Sequence, residues 1–362
     1  MADEKIKSLQ TVRAIAFLGI FTLHCEIGQY GAWGVSVFVI LSGFVMTYTY
    51  YERNIDYSLC NSFKFSMKKI HKLYGLHVMM TIAALVLAIL SIIKEFTILR
   101  LCKQGALFVI NLLLLQNWFP KEGIYFSMNS VAWYLALCLF IYFAFPTVLK
   151  YVKKIKSIKQ AFFLSLIIYL VQCIIGMSLY FINIDIPYVD NFSKWVTYIL
   201  PVFRLGDFVI GCLWGYIFIN RRNIINDCIA AIGEVVVLVC ILISQYIYDN
   251  QIGFLGAESF RYNMLFTVSS VALVYLFAIN KGVLSKVLTC KPIIYLGNIS
   301  AYTFLIHQIV IRYIDLFASH FYGIEMNKYF KFICAFAITI ICSEVYKFIE
   351  NSVKKKKIIY KK

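Results

Sequence analysis

The chain has 362 residues, 61% hydrophobic and only 15% charged, with a net charge of +17 and a mean hydropathy of +0.78. A soluble domain of this size has no interior large enough for so much apolar surface, so the composition predicts an integral membrane protein with many spans. The positive charge lies in short Lys/Arg clusters between apolar runs, with no separate basic domain, and reads as membrane topology rather than nucleic-acid binding.

Apolar segments run near 9–27, 31–51, 73–93, 105–118, 130–149, 160–183, 195–219, 229–248, 262–280, 293–312 and 329–349. Most approach the roughly twenty residues that a crossing helix needs, which predicts an all-α architecture and not a barrel. The fourth, "GALFVINLLLLQNW", is too short to cross. If it does not cross and the N-terminus is cytoplasmic, Lys and Arg favour the cytoplasmic side by roughly three to one. If it crosses, the bias reverses. The expectation is therefore about ten transmembrane helices with both termini cytoplasmic, plus a re-entrant or interfacial segment near 105–118. Residues 1–350 form one membrane domain, and residues 351–362 a basic tail, "KKKKIIYKK" at its end, suited to anionic lipid. No cleavable signal peptide is evident. The eleven cysteines are scattered singly and read as small apolar residues.

In chain order, the first span, "TVRAIAFLGIFTLHCEIG", carries Arg13 and His24. Eleven steps of about 100° return to the same helix face, about 16 Å further along the axis. Ionisable groups inside a span mark a site or a pathway. The second span, "GVSVFVILSGF", offers Ser36, Ser42 and Gly43, small residues that allow close approach of a helix or ligand. At the start of the third, "FSMKKIHKLYGLH" places Lys68 and Lys72 on one face with Lys69 beside them. Such a cluster is either a positive-inside anchor or a phosphate site. In "FRLGDFVIG", Arg204 and Asp207 are three apart, neighbours that can pair with each other. In "LGNISAYTFLIHQ", His307 lies at the same depth as His24. Each histidine can serve as a helix-to-helix hydrogen bond or as a general base. A zinc site would need a third ligand such as Cys25 or Glu26; no HxxxH or HxxE spacing supports one, and no metal is expected.

Taken together, these stretches resemble the acyltransferase family 3 of integral-membrane O-acyltransferases, which includes bacterial surface-polysaccharide O-acetyltransferases. Arg13 and His24 match its Arg-x10-His pattern, and "GVSVFVILSGF" its Ser-Gly-Phe stretch. "AWYLALCLFIYFAFP", "FRLGDFVIG", "YLGNISAYTFLIHQ" and the closing "YKFIE" follow in the family's order. The resemblance covers essentially the whole chain. It implies transfer of an acyl group, usually acetyl, from cytoplasmic acyl-CoA to an acceptor hydroxyl at the outer face, with a cell-surface glycan or its lipid-linked precursor as the acceptor class. On that basis His24 is expected as general base, Arg13 as a group orienting the acyl donor, and Ser42 as an oxyanion donor or transient acyl carrier. Lys69 and Lys72, with Lys68 beside them, would hold the phosphates of acetyl-CoA; the family's Arg-x-x-Arg stands here as Lys-x-x-Lys. Arg204, Asp207 and His307 would line the substrate cavity. Some members carry Glu where this chain has Cys138, and Gly75 replaces the usual Pro. A bacterial plasma membrane is the expected location. The rivals are a transporter or flippase for a lipid-linked sugar, and a partner-binding membrane component without chemistry. Against the first stands the lack of inverted-repeat symmetry.

Overall fold

The computed structural model describes residues 6–93, 96–182, 189–221, 225–323 and 325–359. The described residues form helices and no strands. The long elements are α1 (Ser8–His24), α2 (Gly31–Tyr50), α3 (Leu59–Ile92), α4 (Ile98–Leu112), α5 (Trp133–Val152), α6 (Ile158–Ile182), α7 (Pro201–Arg221), α8 (Asp227–Asn250), α9 (Met264–Ile279), α10 (Lys291–Phe317) and α11 (Lys328–Ile359). Among the described residues, nine helical stretches are long and apolar enough to cross a membrane. The 17-residue α1 lies packed among them, against α2 and α10. The all-α polytopic architecture follows from the bilayer: with no water to satisfy backbone groups, every amide must bond within its own helix.

Three helix starts are fixed by side chains rather than by hydropathy. Ser58 Oγ accepts from the amide of Asn61, Thr97 Oγ1 from Arg100 and Asn226 Oδ1 from Ile229. The first of these starts α3 fourteen residues before the expected segment, so Lys68, Lys69 and Lys72 sit on the helix itself. The second starts α4 at Ile98, seven residues ahead of the expected 105. The charged Arg100 and Lys103 masked this first turn in the sequence. Of the basic tail, residues 354–359 continue α11 as backbone; their side chains and residues 360–362 lie outside the described residues.

Burial divides the helices into two classes. The apolar window of α2 is 78% buried inside the protein, whereas that of α11 is 17% buried. α6 and α8 resemble α11 and turn Ile, Leu and Val outward, as a helix facing lipid does. The α2–α7 pair is the most extensive helix contact. Its intimacy depends on glycine, since a Cβ at Gly43 would strike the Phe208 carbonyl and one at Gly211 the Ile40 carbonyl. The close approach expected of the Ser42–Gly43 stretch is thus made by a helix backbone.

The segment that should not cross is re-entrant in form. α4 folds back along α3 and stops at the level of Tyr74 and His77, midway along that helix. There Tyr74 Oη donates to the Leu112 carbonyl at 2.9 Å, and His77 Nε2 to the Asn111 carbonyl at 2.9 Å. The chain then returns through short turns to α5. Non-helical backbone inside a bundle needs internal partners, and buried amides supply them. Asn117 Nδ2 donates to the carbonyls of Trp133 and Ile199, and Asn129 Nδ2 to that of Leu305. Asn111 Nδ2 bonds Ser127 Oγ, while Arg312 donates to the Met128 carbonyl.

Candidate active site

Alternating helix directions put the starts of α1, α3 and α10 and the end of α2 at one end of the bundle, here called the basic end. His24 lies toward the other. The register of α1 is held at the basic end by Ser8 Oγ donating to the Phe277 carbonyl and Thr11 Oγ1 to that of Leu288. A Cβ at Gly297 would collide with the Gln10 carbonyl, so α10 also lies directly against this part of α1. These contacts fix where Arg13 points.

Three cavities follow one another along α1. The first opens at the basic end and holds about 480 Å³; Arg13, Arg53, Lys69, Lys72, Gln10 and Asn298 contribute its polar lining. No Asp or Glu is among its described lining residues. Lys69 Nζ lies 4.5 Å from the ring centre of Tyr50, and Lys72 Nζ 5.3 Å from that of Tyr302, so aromatic faces hold the two lysines; Tyr302 Oη in turn donates to Glu350 Oε2 at 2.7 Å. Lys68 is exposed and lines none of the three cavities.

The second cavity, about 130 Å³, shares Arg13 and Lys69 with the first and reaches into the bundle. Ser42, Tyr134, Cys138 and Tyr142 form its polar side. The two tyrosine hydroxyls lie beside Ser42 and Cys138. Pro146 has no N–H to offer the Tyr142 carbonyl, a local break in the α5 ladder beside this cavity. Its far wall is aromatic. Phe38, Tyr134 and Phe304 stand 5.3–6.1 Å apart between ring centres.

Beyond that wall lies the third cavity, about 400 Å³, with His24 in its lining. Its walls are Phe126, Trp133, Tyr198, Tyr248 and Tyr262, and Lys194 is the one Lys or Arg among its described lining residues. Trp133 and Tyr198 are 4.8 Å apart and Tyr198 and Tyr262 5.2 Å apart, forming a continuous aromatic face. Lys194 pairs with Glu122 at 2.9 Å and lies against the rings of Phe126 and Tyr262.

The structure therefore brings Arg13, Ser42, Lys69 and Lys72 to connected space and leaves His24 across the aromatic wall. His307 meets His24 with ring centres 5.1 Å apart. It is fully buried, packed against Phe17, Phe21 and Phe304. Arg204 and Asp207 are fully buried and joined at 3.1 Å; Gln172 Nε2 adds a bond to Asp207. Arg204, Asp207 and His307 line none of the three cavities. Arg204 lies 5.9 Å from the ring centre of Tyr198, behind the wall of the third. Among the described residues no three His, Cys, Asp or Glu side chains converge as a metal site would require.

Sequence reasoning missed Arg53, Tyr134, Tyr142 and the Tyr198–Tyr262 face. Arg53 lies shortly past the end of α2 at Tyr50, and its nearness to that end was the available signal. The tyrosines carried none, being 4 among 26.

The family model described as an acyltransferase domain matches residues 6–346. The O-acetyltransferase OatA of Staphylococcus aureus, from strains NCTC 8325 and COL, is 23% identical over 380 aligned positions. Those alignments cover 97% of this chain and 57% of the relative, so the chain spans little more than half the length of the curated relatives it matches. No solved structure matches it. A polytopic helical bundle matched by the family model over nearly its whole length, with the arginine and histidine of its first helix set along a line of cavities, belongs to acyltransferase family 3.

Proposed function

We propose that the chain is a membrane O-acetyltransferase. It takes an acetyl group from acetyl-CoA at the basic end, which faces the cytoplasm of a bacterial plasma membrane. It delivers that group to a hydroxyl of a cell-surface glycan, or of its lipid-linked precursor, admitted at the opposite end. The observation that carries this reading is the sequence of environments along α1: a mouth lined by two arginines and two lysines, a narrow polar cavity, an aromatic wall, and an aromatic cavity with a histidine.

Each environment suits one part of the reactants. Arg53, Lys69 and Lys72 match the phosphates of coenzyme A, although lysine meets each oxygen as a point charge and lacks the bidentate fork of arginine. Arg13 stands where the first and second cavities meet and orients the acyl-bearing arm. The thioester reaches the aromatic wall through the second cavity, where Ser42 and the tyrosine hydroxyls offer donors for a developing oxyanion. Aromatic rings at the opposite end present flat apolar faces of the kind on which a sugar ring packs, with Lys194 at hand for polar groups.

Chemistry needs the rings of Phe38 and Phe304 to turn aside so that thioester and hydroxyl meet beside His24. The hydroxyl oxygen attacks the thioester carbonyl, its proton passes to His24, and collapse of the tetrahedral intermediate breaks the carbon–sulfur bond. The thiolate of coenzyme A leaves and is protonated from His24 or water. A positioned base contributes about 10²–10⁴-fold to such a step.

The test uses purified full-length protein, radiolabelled acetyl-CoA and crude surface glycan, following free coenzyme A and labelled glycan. Turnover by wild type that vanishes in His24→Ala, with acetyl-CoA still bound, is the expected result. Failure of the wild type to bind or consume acetyl-CoA would remove the reading and leave the flippase.

A further inference from the structure

Resting on that reading, we infer that His307 is a positioning residue for His24: its Nε2 accepts one ring N–H of His24 and so fixes which nitrogen of His24 faces the acceptor. Tautomer logic leads there. His307 Nδ1 lies 2.8 Å from the Phe304 carbonyl and 3.2 Å from the Thr303 carbonyl, both on its own helix. Carbonyl oxygens only accept, so Nδ1 must carry the hydrogen. In the neutral ring Nε2 is then a bare lone pair. It is fully buried and has no hydrogen-bond partner among the described residues.

A buried acceptor left unmade is costly, on the order of 1–3 kcal/mol. Three of the rings around His307 belong to Phe17, Phe21 and Phe304 and have no hydrogen to give. The fourth is His24, tilted 60° to it, and a small rotation of the His24 side chain, which is only half-buried, brings an N–H toward Nε2. Catalytic hydrogen bonds are commonly long in unliganded structures and tighten when substrate arrives.

The consequence for the reaction is specific. With one nitrogen donating to His307, the other must present its lone pair, and it does so toward the third cavity, whose lining includes His24. When that nitrogen takes the acceptor hydroxyl proton, the imidazolium keeps its bond to His307 Nε2. No proton moves onto His307, and none is lost from its Nδ1. The role parallels that of a carboxylate behind a catalytic histidine, without placing a net charge in the bundle.

Two variants separate positioning from packing. His307→Phe keeps the ring and its volume but offers no acceptor. His307→Gln places an amide oxygen close to the position of Nε2. With unfolding temperature and acetyl-CoA binding checked for both, His307→Phe is expected to lower kcat on the order of 10²-fold with KM for donor and acceptor within twofold. His307→Gln is expected to recover at least a third of the wild-type kcat. Folded His307→Phe with wild-type kcat, or His307→Gln no better than His307→Phe, overturns the inference. A second readout needs no turnover. The chain has 5 histidines, few enough for ¹⁵N imidazole resonances to be assigned one by one. His307 is expected as the Nδ1–H tautomer, and His24 as a single tautomer that becomes mixed in His307→Phe. An unchanged His24 tautomer in that variant overturns the positioning role even if the acyltransferase reading stands. A wild type that turns over no acetyl-CoA sinks the function but not the tautomer pairing.

Discussion

The first and third cavities lie at the two ends of one helix, α1, yet their linings have little in common. The first gathers Arg13, Arg53, Lys69 and Lys72, and no Asp or Glu is among its described lining residues. The third is walled by Phe126, Trp133, Tyr198, Tyr248 and Tyr262, and the one lysine among its described lining residues, Lys194, is already paired with Glu122. Clustered cations repel one another beside low-dielectric surroundings, and an anion relieves that cost. An aromatic wall gains most from a ligand with broad apolar faces. On the proposed function, that difference suits two unlike ligands that approach from opposite ends, which a channel for a single solute would not require.

That contrast can be broken at several points. The largest effect is expected at His24: His24→Ala should lower transfer by about 10²–10⁴-fold while acetyl-CoA binding is retained. Loss of donor binding in this variant would place the histidine in the wrong ligand's territory. At the basic end, Lys69→Ala and Lys72→Ala should each raise KM for acetyl-CoA by about 10- to 100-fold, the weight of one charge-assisted hydrogen bond. Acceptor KM and kcat should hold, and the penalty should shrink as salt rises. A change confined to the acceptor would reverse the assignment of the ends.

Between the two lies the wall. Phe304→Ala opens the ring cluster of Phe38, Tyr134 and Phe304. It should raise acetyl-CoA hydrolysis in the absence of acceptor by roughly tenfold, because a closed site is what keeps water from the thioester. Hydrolysis unchanged in the folded variant would mean that the rings do not separate the cavities. Tyr262→Ala should raise acceptor KM by about fivefold, near 1 kcal/mol of aromatic contact, leaving donor KM alone. Tyr262→Phe, which keeps the ring, should behave as wild type; equal losses in both would point to the hydroxyl instead. Lys68→Ala should change neither KM, since its side chain is exposed and reaches no cavity. A donor KM that rises would extend the cationic mouth to that face of α3.

Much of this was legible in the chain because a membrane simplifies its grammar. Arg13 and His24 announced themselves as the ionisable groups of an apolar helix, and the helical period alone aligned them on one face. The same reasoning anticipated a segment that does not cross, since fourteen apolar residues cannot span a bilayer. It misplaced the start of that segment because α4 begins with a Thr97 cap and two basic residues, which lower hydropathy without stopping a helix. Arg204 and Asp207 were correctly seen as neighbours. Their position behind Tyr198 depends on how α7 packs on its partners, and a one-dimensional pattern does not contain that. Tyr134 and Tyr142 were invisible for a different reason. In a chain with 31 Phe and 26 Tyr, aromatic identity carries almost no information about which rings converge. Arg53 lay just past the end of α2, where a basic residue is the default topology signal and its direction is set by tertiary contacts.

The most direct measurement is sidedness. The protein would be reconstituted into vesicles, with orientation read from the reaction of Cys60 and Cys290, both exposed at the basic end, with a membrane-impermeant maleimide. Radiolabelled acetyl-CoA would be supplied on one side only and glycan acceptor on the other, in both arrangements. The account predicts labelled acceptor only when acetyl-CoA is on the side of the basic end and acceptor on the opposite side. Equal labelling with donor and acceptor confined to the same side would contradict it.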